Sequence, residues 1–226
     1  MGVAEHVLIV PARGLVLLVG ASGAGKSTFA AAHFRPTEIL SSDAFRGMVG
    51  DDEADQSASP AAFDILERVL AHRLRRGLLS VVDATNARSQ DRRRMLQLAA
   101  VARRPAVAIV FDLPESLVQA QNLRRDGRRV ESDVIRRQLE HVRRGLADPG
   151  RLVAEGLSAL HVLASAGAVN RARVVRDPSL RPATVQAPAG GPGAAVGELR
   201  ARRRGPAPHA TPTPPARSRA RRDRTA

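Results

Sequence analysis

Residues 15–30 read LVLLVGASGAGKSTFA, and the change of character at Gly20 decides the fold. Five aliphatic residues without a charge, closed by a glycine, have the composition of a buried parallel strand. Residues 20–27 then satisfy G-x-x-x-x-G-K-[ST], and the following KSTFAAAHF reads as a helix. Strand, glycine turn and helix are the context this motif requires. The glycines let successive backbone N–H groups curl around phosphate oxygens, and the helix N-terminus adds positive potential at the same point. Gly20, Ser22, Gly23, Ala24, Gly25, Lys26, Ser27 and Thr28 are therefore the expected phosphate cradle for ATP, with the Ser27 hydroxyl as ligand to Mg²⁺. Lys26 is the chain's one lysine; the other 35 of its 36 basic residues are arginine. A compact ammonium on a thin stem can thread under such a loop, where the broad guanidinium fork would not fit in the same way.

Outward from the cradle, the strand pattern recurs in TEILSSD, LLSVVDAT, PAVAIVFDL and LSALHVLA. Helical stretches separate these runs. Ser59 and Pro60 form an expected N-cap and first-turn pair, followed by Phe63, Leu66, Val69, Leu70 and Leu74 at helical spacing. Ser89 and Pro114 open two more helices. A fourth runs from about Ser132 to Ala147, with Val134, Ile135, Leu139, Val142 and Leu146 inward and Arg136, Arg137, Arg143 and Arg144 outward. Strands alternating with helices predict an α/β P-loop fold, a mostly parallel central sheet flanked by helices.

Composition narrows the functions. With no cysteine, disulfides, thiol catalysis and cysteine-ligated metal are excluded. The start, MGVAEHVLIVPARG, has no basic n-region and reaches Pro11 after four apolar residues, so it does not read as a signal peptide. No apolar run reaches the length of a membrane span. A soluble cytoplasmic protein with no membrane partner is the resulting expectation. The net charge of +14 divides unevenly in density: residues 177–226 hold ten arginines against three acids, and nine of the fifteen prolines. That composition predicts a folded domain over residues 1–176 and a disordered basic C-terminal tail over 177–226. The tail reads either as a polyanion attractor or as compositional bias without a task.

Ligands of such sheets lie beyond the carboxyl ends of the strands. There the sequence offers Asp43, after the second strand run, and Asp83, after the third, in VVDATN. Asp83, with Thr85 and Asn86, forms a second acidic loop beside the cradle, suited to a Mg²⁺-bound water or a neighbouring side chain. Asp43 reads equally as a general base for phosphoryl transfer to a hydroxyl or as a helix N-cap. Arg46, three residues on, is placed to hold an acceptor's phosphate. In NLRRDGRRVESD, residues 122–133, four arginines surround Gly127 between two helices. They predict a basic lid whose arginines clamp the γ-phosphate as its charge redistributes.

These segments together resemble the kinase module of bacterial polynucleotide kinase-phosphatases over about residues 5–177. The likeness is carried by LVLLVGASGAGKSTFA, EILSSDAFRGMVGDDEADQSAS, VVDATNARSQDRR, PAVAIVFDLPES and VIRRQ. The resemblance implies ATP-dependent transfer of phosphate to the 5′-hydroxyl of DNA or RNA. It implies ATP and Mg²⁺ at Lys26 and Ser27, Asp43 as base, and Arg46 gripping the acceptor end. The family's lid resembles R-N-x-x-R followed by R-x-V: Asn122, Arg125, Arg128 and Val130 match, whereas Gln121 stands where an arginine is usual. Bacterial members carry phosphatase and ligase modules after the kinase; here the basic tail of residues 177–226 follows, so the complete repair function does not carry over, and the sequence does not identify a separate phosphatase or ligase partner. Two other functions share the cradle: a kinase of a small-molecule hydroxyl, and an ATP-binding nucleic-acid adaptor without transfer activity.

Overall fold

The computed structural model describes residues 6–125 and 129–183. Along the chain run β1 (His6–Pro11), β2 (Leu15–Gly20), α1 (Lys26–His33), β3 (Ile39–Ser41), α2 (Ser42–Gly50) and α3 (Ser59–Arg75). They are followed by β4 (Ser80–Asp83), α4 (Ser89–Val101), β5 (Ala106–Phe111), α5 (Glu115–Leu123) and α6 (Ser132–Leu146). The last elements are α7 (Pro149–Ala154), β6 (Ala159–Leu163), α8 (Ala166–Asn170) and β7 (Ala172–Asp177).

Five strands form one parallel sheet in the order β3-β4-β2-β5-β6. Every residue of β2, β4 and β5 is buried, as expected of strands covered on both faces. Alternate side chains of β2 divide the core: Val16 and Leu18 pack with Phe29, Val107, Ile109 and Phe111 on one face. Leu15, Leu17 and Val19 pack with Leu66, Leu70, Leu74 and Met95 on the other. The chain leaves β2 for β3, returns to β4 between them, and then crosses to β5. The carboxyl ends of β2 and β4 therefore flank a topological switch point.

Outside this sheet, β1 and β7 pair with each other in parallel, His6 opposite Ala172 through Pro11 opposite Asp177. The strands tie back to the domain by Leu8 and Val10, both fully buried, and by Arg176. Its guanidinium makes two bonds, of 2.9 and 2.8 Å, to the Glu38 carboxylate. Burial alone would raise the Glu38 pKa, but Arg176 and Arg35 hold it below its ordinary value.

One expected cap and one expected strand are corrected. Ala58, not Ser59, precedes α3, because the 3₁₀ turn Gln56–Ala58 runs directly into the helix. Ser59 is thus the first helical residue, and its buried Oγ has no hydrogen-bond partner. The second strand run is also shorter than expected: Pro36–Glu38 forms a 3₁₀ turn and Ser42 already begins α2. Residues 184–226, most of the expected tail, lie outside the described residues. Among the described residues no helix is long and apolar enough to cross a membrane.

Candidate active site

The cradle hangs between the end of β2 and α1. The Gly20 N–H donates to the Thr85 carbonyl at 3.0 Å, tying the cradle to the loop after β4. Gly23 (φ +86°) lies so close to α5 that an added Cβ would fall 2.9 Å from the Val118 carbonyl oxygen. Gly25 (φ +81°) is the left-handed residue that turns the chain into α1. Both positions demand glycine, for contact at the first and for conformation at both. Ala24 is buried beneath the loop, and the Ser22 N–H donates to the Gln138 side-chain oxygen at 2.8 Å. Thr28 lines the same cleft.

Lys26 folds back beneath this loop. Its Nζ donates to the carbonyls of Gly20 and Ala21 at 3.0 and 2.9 Å, which uses two of its three N–H donors. Burial lowers its pKa from 10.5 to about 8, against the opposing pull of the Asp83 and Asp43 charges. Asp83 is pushed the other way: burial raises its pKa, while Lys26 and a hydrogen bond from Ser27 restrain the rise. Ser27 and Asp83 thus form one polar pair at the mouth of the cradle.

Asp43 lies in the first turn of α2, two residues beyond β3. The alternative N-cap role belongs to Ser41, whose Oγ accepts from the Ala44 N–H. Freed from capping, the Asp43 carboxylate is held by arginines on two elements. Arg46 donates from Nη2 to its Oδ1, and Arg125, beyond α5, brings Nη2 to 3.7 Å from its Oδ2. Arg46 is itself nearly buried, and its Nε donates to the Glu53 carbonyl at 2.9 Å. In this structure it positions Asp43. Asp43, Arg46, Asp83, Arg125 and the cradle all line one cleft of about 1410 Å³.

The lid region is pinned at its base by Asn122, whose side chain bonds the Val130 backbone in both directions. Gln121, in the usual arginine position, lines the cleft beside Gly25, and its buried Oε1 has no hydrogen-bond partner. Arg129 also lines the cleft. The expected phosphate ligand Arg128 lies outside the described residues.

One wall of the cleft was not assigned a role from the sequence. Ala166, Val169 and Asn170 of α8 line the cleft together with Ala32 and His33 of α1. An apolar flank beside a phosphate cradle suits the flat face of a nucleobase. Asn86, at φ 45°, reaches across to donate from Nδ2 to the Leu18 carbonyl at 2.8 Å. The turn after it is held by Arg92, which donates to the carbonyls of Asn86 and Ala87 and forms a bidentate pair with Glu155. Asn86 and Arg92 therefore fix the Asp83 loop. In the sequence, Arg92 looks like any surface arginine of a basic helix.

A hydroxyl, a carboxylate and phosphate oxygens are hard ligands that suit Mg²⁺, which keeps several waters and seldom needs an all-protein cage. No group of three His, Asp or Glu side chains able to hold a metal occurs among the described residues. Ser27 would bind the ion directly, and Asp83 would hold one of its waters.

The family model described as an AAA domain matches residues 15–149. No curated protein matches the chain by sequence. Among solved structures, a chain of the Pnkp1/Rnl/Hen1 RNA repair complex is similar at 23% identity with a TM-score of 0.53, covering 62% of this chain and 47% of that one. A chain of the AvrRxo1-ORF1:-ORF2 complex is similar at 19% identity and TM-score 0.54, covering 68% of this chain and 55% of that one. A gluconokinase from Sinorhizobium meliloti 1021 is similar at 17% identity and TM-score 0.44, covering 72% of this chain and 90% of that one. This chain thus spans about half the length of the first two structures, and the likeness to them is one of fold. The family match begins at the first residue of β2 and takes in the cradle, Asp43, Asp83 and the whole of α6. On that span the chain belongs to the AAA domain family and has a kinase-like P-loop fold.

Proposed function

We propose that the protein transfers the γ-phosphate of ATP to a hydroxyl, and that the acceptor is the 5′-hydroxyl of a polynucleotide. The observation that carries this reading is the Asp43 carboxylate, held by Arg46 and Arg125 in the same cleft as Lys26 and the cradle. The hydroxyl oxygen attacks the γ-phosphorus as its proton passes to Asp43, and the bond to the β-phosphate oxygen breaks to release ADP. Arg125 touches the base and faces the same space, so its guanidinium can follow charge onto the transferring group. Ser27 and Asp83 would hold Mg²⁺, which when bound would supply positive charge against the phosphates. The cleft exceeds the roughly 300–1,000 Å³ typical of one small-molecule site, leaving room for nucleotide and acceptor together. The resemblance to polynucleotide kinase-phosphatases and the surplus of arginine support a polyanionic acceptor.

A second acceptor class is favoured by one feature. Glu53 lines the α2–α3 end of the cleft, in a connection that also carries Asp51, Asp52 and Asp55, and a neutral polyhydroxyl compound meets less repulsion there than a phosphodiester strand.

The test is transfer of labelled γ-phosphate to a short 5′-hydroxyl oligonucleotide, run beside gluconate and the Lys26→Ala and Asp43→Ala variants. Transfer to the oligonucleotide, lost in both variants, is expected. Transfer to gluconate alone would move the acceptor to small molecules, and ATP binding without any transfer would leave an adaptor.

A further inference from the structure

A second, smaller cavity of about 390 Å³ opens beside the first, between the start of α4 and the middle of α6. Thr85, Val134 and Gln138 line both, so the two are one continuous surface. Three basic side chains line the smaller one, Arg88, Arg137 and His141, against a single carboxylate, Asp91. Neither Arg88 nor Arg137 is engaged in an ion pair among the described residues. Two other arginines of the same helix are paired, Arg136 with Asp133 and Glu115 and Arg143 with Asp112, whereas Arg144, which lines neither cavity, donates only to the Glu140 carbonyl. Arg137 itself only donates from Nε to the Asp133 carbonyl at 3.3 Å. Both arginines are exposed and lie where the site opens out from the loop that carries Asp83.

Away from this groove, the larger cleft is lined by Glu53, which belongs to the α2–α3 connection with Asp51, Asp52 and Asp55. A strand whose 5′ end lies at Asp43 would meet the carboxylates of residues 51–55 if it ran out over the α2–α3 connection. Like charges along a cleft wall disfavour that path, and unpaired guanidinium groups favour the other. We infer that the α4–α6 groove is a phosphodiester-binding subsite, with Arg88 and Arg137 as its phosphate ligands, through which the acceptor single strand leaves the active site. This rests on the polynucleotide reading above and adds the direction in which the strand runs. Recognition there is of the backbone, since no aromatic side chain other than the His141 ring lines the groove on which a base could stack.

The experiment is fluorescence anisotropy of a labelled 5′-hydroxyl single strand over a series of salt concentrations. It compares the full chain with Arg88→Gln/Arg137→Gln and with a control, Arg93→Gln/Arg144→Gln, that removes the same charge from exposed positions lining neither cavity. The groove variant is expected to bind about tenfold or more weakly at low salt. Its slope of log affinity against log salt should be shallower by about 1.4, two phosphate contacts at ~0.7 each. The control should change little. No strand binding by the unmutated chain, equal affinity and slope in the groove variant, or an equal loss in the control would each overturn the inference. Phosphate transfer assayed on the same samples separates the two ideas. Weakened binding in the groove variant with no transfer by any protein would sink the kinase reading and leave the groove standing.

Discussion

Asn122 and Val130 are bound to each other in both directions: the amide donates to the Val130 carbonyl at 2.8 Å and accepts from its N–H at 3.1 Å. One buried side chain thus closes the base of the arginine-bearing connection between α5 and α6 and fixes where Arg125 and Arg129 start. Replacing Asn122 with alanine strips both bonds from the Val130 backbone. We expect a loss of about 1–3 kcal/mol in urea unfolding, the cost of buried polar groups left unpaired. In transfer assays the KM for ATP should rise, since Arg125 and Arg129 are no longer held over the cleft.

Asp43 and Arg46 separate chemistry from positioning. Asp43→Asn keeps the shape but removes the proposed proton acceptor, and kcat should fall by about 10²–10⁴-fold with little change in the KM for ATP. Arg46→Lys keeps the charge yet cannot hold the Asp43 carboxylate and the Glu53 carbonyl with one rigid fork. A kcat loss between those of wild type and Asp43→Asn is the expected outcome. A full-strength Arg46→Lys variant would show that Arg125 alone suffices to orient Asp43.

Lys26 makes ligand-free stability pH-dependent. Burial holds its folded pKa at about 8, below the ordinary 10.5. Between those values the unfolded chain carries a proton that the folded chain has shed, so stability rises with pH across that window. The gain is about 3 kcal/mol at most. Chemical denaturation at pH 7.5 and pH 10 should show the rise in wild type relative to Lys26→Met. Bound triphosphate favours the charged amine, so ATP affinity should fall as pH climbs above about 8.

Arg92 and Glu155 form a buried ion pair, with side chains 4% and 8% exposed. Removing either partner strands a buried charge, and Arg92→Met is expected to cost about 3–5 kcal/mol. The double change Arg92→Met/Glu155→Leu should recover much of that in the same unfolding measurement. Activity should not recover with it, because Arg92 also holds the carbonyls of Asn86 and Ala87 behind Asp83.

The readable parts of this fold are those where one force dominates. In β2 and β5, burial on both faces leaves uninterrupted aliphatic runs, and the cradle carries glycines that contact and conformation both require. The strands β1 and β7 were not legible. Val7 and Ile9 of β1 are half exposed, β7 contains Arg173, Arg176 and Asp177, and each finds its partner only at the far end of the domain. The helix α2 is equally quiet, since SDAFRGMVG contains two glycines and owes its start to the Ser41 cap. That missed helix moved Asp43 from a strand end to a helix turn. The α8 wall is five residues, AGAVN, too short for any periodicity to register. Gln138 and Arg92 fall in the quoted segments VIRRQ and VVDATNARSQDRR, but they act through partners distant in sequence, Ser22 and Glu155, so those segments do not show what either does.

The pairing of β1 with β7 has a temporal side. A chain made at about 5–20 residues per second leaves β1 waiting on the order of ten seconds for its hydrogen-bonding partner. By then β2 to β6 have emerged, and the nucleotide-binding core can assemble before the molecule is closed. Closure by a contact so distant in sequence is entropically slow, and until it happens β1 presents an unsatisfied edge with Val7 and Ile9 half exposed beside it. A nascent chain arrested before Ala172 would therefore carry a competent cradle and an adhesive strand at once.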